Sequence, residues 1–194
     1  MSNKGQEYLI ALGGNLRSSA GVPLQTLKAA LHSLGLLGPV ILRTSRFYRT
    51  PCFPPGAGPD YVNAAAVVST KLGASAFMEF LHGIERDFDR ERKNRWANRT
   101  LDLDLIGFGQ SVLPDLSEFR RWQTLQPARQ SQIAPEKLIV PHPRMQDRGF
   151  VLVPLARVAP GWRHPVLDKT IEDMLADLPE SALEGIAEIV EGQG

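Results

Sequence analysis

Thr100-Leu101-Asp102-Leu103-Asp104-Leu105-Ile106-Gly107-Phe108 is the stretch whose reading decides the fold. Side chains alternate between the two faces of a β-strand. Leu101, Leu103 and Leu105 therefore point one way, and Asp102, Asp104 and Ile106 the other. Leucines at every second position need an apolar cover, and one is encoded just upstream. Phe77, Leu81, Ile84 and Phe88, with Phe80, recur at helical spacing, while His82 and Glu85 lie three residues apart on a different face of the same helix.

Further back, residues 61–70 read as a long strand with Tyr61 and Asn63 on one face. Pro51 to Pro59 holds four prolines and two glycines and reads as a loop. Residues 40–50 are β-rich, and Pro51 stops them. Pro23 stands where a helix tolerates proline, Leu24, Leu27, Leu31 and Leu34 follow at helical spacing, and Gly35 lies where a C-terminal cap belongs. Residues 8–12 read as a short buried strand, with Gly13-Gly14-Asn15 as a tight turn after it. The order is strand, helix, strand, strand, helix, strand. That is an α+β class with a ferredoxin-like βαββαβ core, an antiparallel sheet carrying helices on one face. A C-terminal helical extension follows an irregular stretch up to Val140, with helices predicted over about 149–158 and 170–178.

Composition narrows the class. The 194 residues carry 22 basic and 21 acidic side chains, 43% apolar residues and a single cysteine, Cys52. A chain of this length buries roughly 70% of its unfolded surface, enough for one domain over 1–194 without a disulfide or structural metal. One cysteine makes no internal bridge, no signal peptide is legible, and no apolar run approaches the roughly 20 residues of a membrane span. The expectation is a cytoplasmic protein that binds neither membrane nor nucleic acid, monomeric or a weak homodimer.

Asp102 and Asp104 stand out chemically. Two residues along a strand is roughly 6.6 Å, and at an effective dielectric of about 20 two carboxylates at that distance repel by on the order of 2.5 kcal/mol. Magnesium would offset the repulsion, being a hard ion that prefers carboxylate oxygens and usually shares them with phosphates. Pairing with arginines on an exposed edge strand would do so as well. Arg90, Arg92, Lys93, Arg95 and Arg99 stand against one acid, Glu91, with Trp96 among them. Arginine forks match phosphate oxygens; the same run also fits a solvated loop paired with Asp87, Asp89 and Glu91, or a stacking surface for RNA. His142 lies between Pro141 and Pro143, with Arg144 and Arg148 behind it. The histidines show no zinc spacing, Gly13-Gly14 begins no phosphate-loop motif, and no serine has a nucleophile elbow.

Taken together the residues resemble the 6-hydroxymethyl-7,8-dihydropterin pyrophosphokinase family. The resemblance rests on Ile10-Ala-Leu-Gly-Gly-Asn-Leu16, Phe47-Tyr-Arg-Thr-Pro51, Asp60-Tyr-Val-Asn-Ala64, Arg95-Trp96, Arg99-Thr-Leu-Asp-Leu-Asp104 and Val140-Pro-His-Pro-Arg144 leading to Arg148-Gly-Phe150, in order across a core of about residues 8–160. It implies ATP and two magnesium ions, with pyrophosphate passing to a pterin alcohol and AMP released. It implies that Asp102 and Asp104 hold the metals and that Arg90 and Arg99 contact the transferring phosphates. Arg92 and Trp96 would lie on a loop closing over the substrates, His142 and Arg148 would bind the triphosphate, and His82 and Glu85 would flank the nucleotide. Thr50, Pro51, Phe53, Tyr61, Asn63 and Phe150 would line the pterin slot.

The sequence departs from the family pattern at His82, Asp89, Ala97-Asn98 and Cys52-Phe53. It also carries an atypical insertion over about 112–137, where Phe119, Trp122 and Leu125 predict an extra surface helix. A two-metal nucleotidyltransferase, a ferredoxin-like RNA-binding module and an inactive pterin-binding paralogue are the competing readings.

Overall fold

The computed structural model describes residues 5–52, 56, 58–89, 99–126, 129 and 133–190. The elements follow as β1 (Gln6–Gly14), α1 (Pro23–Leu36), β2 (Val40–Thr44), β3 (Tyr48–Thr50), β4 (Tyr61–Thr70), α2 (Ala74–Asp87), β5 (Asp102–Gly107), α3 (Leu116–Thr124), α4 (Gly149–Val158), α5 (Ile171–Ala176) and β6 (Ala187–Glu188). The sheet runs β5-β1-β4-β3-β6, with β2 also on β4, and its pairings are antiparallel. Through β5 the order is strand, helix, three strands, helix, strand, which is the predicted order with the first of its two middle strands divided into β2 and β3.

Both faces of the sheet are covered. On one, Leu27, Leu31 and Leu34 of α1 and Phe77, Leu81 and Ile84 of α2 pack on Ile10, Leu12, Ala64, Ala66 and the three leucines of the opening stretch. On the other, Val151, Leu152, Leu155 and Val158 of α4, with Ile171 and Met174 of α5, pack on Leu9, Ala65, Val67 and Ile106. The C-terminal extension is thus the second cover. Its signal is Ala64-Ala65-Ala66-Val67-Val68, buried without a break, because a strand covered on both sides has no polar alternation.

Two local expectations need correction. The glycines do not make a turn after residue 12: β1 continues through both. A Cβ on Gly13 would come within 2.8 Å of Asn63 Oδ1, and one on Gly14 within 2.5 Å of the Thr100 carbonyl oxygen, so the glycines permit close approach. The β-rich run 40–50 is two strands, broken where the Ser45 N–H donates to the Ala65 carbonyl and the Ala65 N–H donates to Ser45 Oγ.

The segment of about 112–137 holds the helix α3. Phe119 and Trp122 of α3 form a small separate core with Ile139, backed by Val112, Leu125 and Val166. Its base is pinched shut by two backbone hydrogen bonds between Leu113 and Val140, 2.7 and 3.1 Å, so the chain re-enters the core close to where it left. Among the described residues no helix is long and apolar enough to cross a membrane.

His164, fully buried, ties this insertion to the C-terminal cover. Its ring lies 5.6 Å from that of Phe119 and 5.9 Å from that of Trp162. Nδ1 accepts the Val166 and Leu167 N–H groups, which leaves the proton on Nε2. Burial lowers its pKa from 6.5 to about 4. A folded pKa below the unfolded one means that the stabilisation is complete above pH 6.5 and is lost as pH falls toward 4. Between pH 7 and pH 5 the loss from this group is about 2 kcal/mol. Thermal melts at the two pH values are expected to show a smaller drop in Tm for His164→Asn, which keeps an acceptor near Nδ1 but does not titrate; equal drops would refute the assignment.

Candidate active site

The register of three strands assembles the site. Asn63 on β4, Gly13 on β1 and Asp102 on β5 are direct cross-strand neighbours, as are Ala65, Ala11 and Asp104 one step along. Cross-strand neighbours share a face, so both aspartates and Asn63 rise from the same side of the sheet, with only glycine and alanine between them. Strands about 4.8 Å apart put the Asn63 and Asp102 backbones about 10 Å from each other across that low floor.

Helix α2 steadies the acidic strand from its free edge. Glu85, buried to 1% exposure, accepts the Leu103 N–H on Oε1 at 2.8 Å, while Leu12 of β1 pairs with Leu103 from the other side. The residue between the two aspartates is thereby fastened from both directions. Arg99 makes an ion pair with Asp102, and both side chains are largely buried. Burial alone would weaken the Arg99 charge, but Asp102 and Asp104 outweigh it and hold the guanidinium firmly protonated. Asp104, partly buried, has no hydrogen bond or ion pair among the described residues.

A second cationic group faces the acids. The His142 N–H donates to the Ile106 carbonyl at 2.8 Å, which anchors the segment between two prolines to the far end of β5. Arg148 stands just before α4, desolvated by burial and drawn by Asp104 and Asp102 against repulsion from Arg144 and Arg99. Burial and the adjoining Arg148 push the His142 pKa down to about 3, so its ring is neutral. Two donors approach it: the Arg144 N–H toward Nδ1 at 3.2 Å and Arg148 Nη1 near Nε2 at 3.4 Å. A neutral imidazole has one acceptor nitrogen, so only one of these contacts is a hydrogen bond.

The other flank is aromatic and amide in character. Asn63 Nδ2 donates to Thr50 Oγ1 at 2.7 Å, both groups buried, which leaves Asn63 Oδ1 leaning over Gly13. Tyr61, half-buried, is kept neutral first by burial and then by Cys52, with Arg99 opposing. Phe150 is 40% exposed, with the Arg148 guanidinium 5.7 Å over its ring.

Arg99, Asp102, Asp104, His142 and Arg148 are therefore gathered in one place, with Thr50, Tyr61 and Asn63 beside them. Pro51 is exposed next to Thr50, and His82 is half-buried on α2. Phe53, Arg90, Arg92 and Trp96 lie outside the described residues. Sequence reasoning missed three contributors. Gly13 supplies the low floor. Arg144, held by Asp147 at 2.7 Å, adds positive charge behind His142. Asn15, 3% exposed, donates to the Pro59 carbonyl at 3.1 Å and accepts the Arg99 N–H at 2.9 Å. An asparagine directly after two glycines was the available signal.

Comparison with known proteins places the chain in a family. A family model described as 7,8-dihydro-6-hydroxymethylpterin-pyrophosphokinase matches residues 9–160. The 2-amino-4-hydroxy-6-hydroxymethyldihydropteridine pyrophosphokinase of Synechocystis sp. is 34% identical over 180 residues, covering 92% of this chain and 80% of that protein. Its namesake from Pseudomonas aeruginosa is 33% identical over 180 residues, covering 92% and 96%. A solved structure of wild-type Plasmodium falciparum HPPK-DHPS superposes with a TM-score of 0.63 at 16% identity. It covers 91% of this chain, which spans 45% of that longer one, and the likeness is one of fold.

Asn15→Ala would leave the Pro59 carbonyl and the Arg99 N–H without their partner. A loss of about 2–3 kcal/mol in urea unfolding is expected. An unchanged midpoint would show that water replaces the amide at no cost.

Proposed function

The chain belongs to the 7,8-dihydro-6-hydroxymethylpterin-pyrophosphokinase family, and from that premise we propose how its own residues carry the reaction. The activity is transfer of pyrophosphate from ATP to hydroxymethyldihydropterin in folate biosynthesis. One observation supports the residue assignment above all: Asp102, Asp104 and Asn63 share a face, with Arg99, Arg148 and His142 gathered around the acids.

Asp102 and Asp104 would hold two magnesium ions. The donor set fits. Both groups are carboxylates on one face of the sheet, and Asp104 makes no hydrogen bond or close ion pair among the described residues. That matches a hard ion that takes one or two carboxylates and completes its shell with water and phosphate. When bound, magnesium neutralises phosphate charge and polarises the group in transfer.

Arg99 lies beside the transferring phosphates, with Arg90 before it in the chain. Arg148 and the neutral His142 bind the triphosphate: an oxygen seated between Nε2–H and the guanidinium satisfies both donors, which otherwise face each other. His82 and Glu85 flank the nucleotide, Arg92 and Trp96 close over it, and Glu85 also keeps β5 in place. Thr50, Pro51, Phe53, Tyr61, Asn63 and Phe150 line the pterin slot. With its Nδ2 committed to Thr50, Asn63 presents Oδ1 to the N–H edge of the pterin, and the exposed Phe150 ring offers a stacking face. The hydroxymethyl oxygen attacks the β-phosphorus in line, the bond from that phosphorus to the α,β-bridging oxygen breaks, and AMP departs with that oxygen. The alcohol proton passes to solvent water as the new bond forms, and positioning and charge neutralisation carry the rate. The residues assigned here come from one chain, which acts in the cytoplasm as a monomer or weak homodimer.

In an assay with the pterin alcohol, ATP and magnesium, AMP and a pyrophosphorylated pterin are the expected products; release of pyrophosphate with an adenylylated acceptor would replace this reading by nucleotidyl transfer. Asp104→Ala is expected to lower kcat by roughly a thousandfold or more with melting close to wild type. Turnover within a few-fold of wild type would remove Asp104 from the metal site. For Arg99→Ala, a fall in kcat of about a hundredfold with pterin affinity changed only a few-fold is expected; equal losses in both would place the arginine in ground-state binding instead.

A further inference from the structure

Beyond residue 160, where the match to the family model ends, the chain continues as a segment that touches both sides of the assigned pterin slot. Strand β6 adds to the outer edge of β3, pairing Glu188 with Tyr48 and Ala187 with Arg49, and the Ile189 N–H donates to the Phe47 carbonyl at 2.8 Å. Before it, Gly185 adopts φ +73°, and a Cβ there would lie 2.5 Å from Pro51 Cγ. Further back, the Ala182 carbonyl sits so close to Gly149 that a Cβ at 149 would overlap its oxygen, with Ile186 Cδ1 3.1 Å away. Pro51 directly follows Thr50, and Gly149 directly precedes Phe150.

We propose that Pro179–Ile189 is a positioning strap that fixes Thr50-Pro51 relative to Phe150 and so sets affinity for the pterin. The inference rests on the assignment of those residues to the pterin slot. Its basis is covalent economy. One segment of eleven residues, folded by short-range bonds (Ala182 N–H to the Pro179 carbonyl at 2.9 Å, Ile186 N–H to the Leu183 carbonyl at 3.2 Å), contacts the chain on each side of the slot. Each of the two contacts involves a glycine, Gly185 within the strap and Gly149 in the chain that it meets. At Gly185 the backbone lies in the left-handed region, and at Gly149 no side chain fits beneath the carbonyl. At Gly149 the strap meets the residue between Arg148 and Phe150, but none of its described hydrogen bonds or ion pairs reaches the acids or the cationic groups, and its other contact is with Pro51, so its influence falls first on the pterin.

The test uses the full chain with two variants that leave the slot residues themselves unchanged. Gly185→Ala strains the turn against Pro51. Ile189→Pro removes the N–H that fastens β6 to Phe47. For each, KM for 6-hydroxymethyl-7,8-dihydropterin, KM for ATP, kcat and Tm are measured. Pterin KM is expected to rise roughly tenfold, with ATP KM and kcat within about twofold of wild type. Pterin KM unchanged in either folded variant would overturn the proposal. So would pterin and ATP constants moving together with a lowered Tm, or loss of the folded state at the assay temperature in both, since either would show a strap that supports the sheet alone. If wild type itself forms no AMP from the pterin, the slot assignment fails, which is a different result from failure of the strap.

Discussion

Two like charges two residues apart on one strand set the terms for everything around them. Asp102 and Asp104 repel, and nothing in the local backbone relieves that repulsion. The fold meets it by immobilising the strand and surrounding the acids with cations. Leu103, between them, is held by β1 on one side and by the buried Glu85 carboxylate on the other. Arg99 pairs with Asp102 from the chain's approach to the strand, while Arg148 is drawn in from the C-terminal side. A field built from close charges persists only where the groups cannot relax away from one another, and the hydrogen bond at Leu103 supplies that rigidity.

The two-sided cover explains where the site opens. Toward the far end of β5, Ile106 is sealed under α4 and α5 with Leu9 and Val67. Toward the near end, the face carries Asp104, Ala11, Asp102 and Gly13 in place of aliphatic side chains, and α4 begins only at Gly149, immediately after Arg148. The same face thus changes from core to pocket within one strand length. Small residues on β1 make the floor, and large polar residues on β4 and β5 make the walls. The insertion does not disturb this arrangement, because its base closes between Leu113 and Val140 before the chain reaches His142.

Much of this was legible in local patterns. The alternation from Leu101 to Leu105, the helical stripe from Phe77 to Ile84 and the proline-rich loop each state a local preference that packing reinforced. The acidic pair was readable as chemistry because aspartates in a strand conflict with both propensity and mutual repulsion. Gly13 and Gly14 misled, since a glycine needed for close approach looks the same in sequence as one needed for a turn. The single β-rich run from Val40 to Thr50 misled as well, because the break at Ser45 depends on a hydroxyl bonded to a strand that comes later in the chain. Glu85 was placed on a polar helix face, whereas its carboxylate is buried against strand β5; a helix-face pattern does not record a partner from a different element.

By itself the sequence determined the order of elements, the two faces of each strand and the residue types brought to the chemistry, because alternation, helical period and side-chain charge are properties of neighbours along the chain. Tertiary structure alone decided the register that sets Asn63, Gly13 and Asp102 in one row, the burial that keeps His142 neutral beside Arg148, and the return of residues 179–189 to the outer edge of β3. Those depend on distances between segments up to about 140 positions apart in the chain. Only simultaneous packing of all the layers fixes such distances, since no local preference reaches across them.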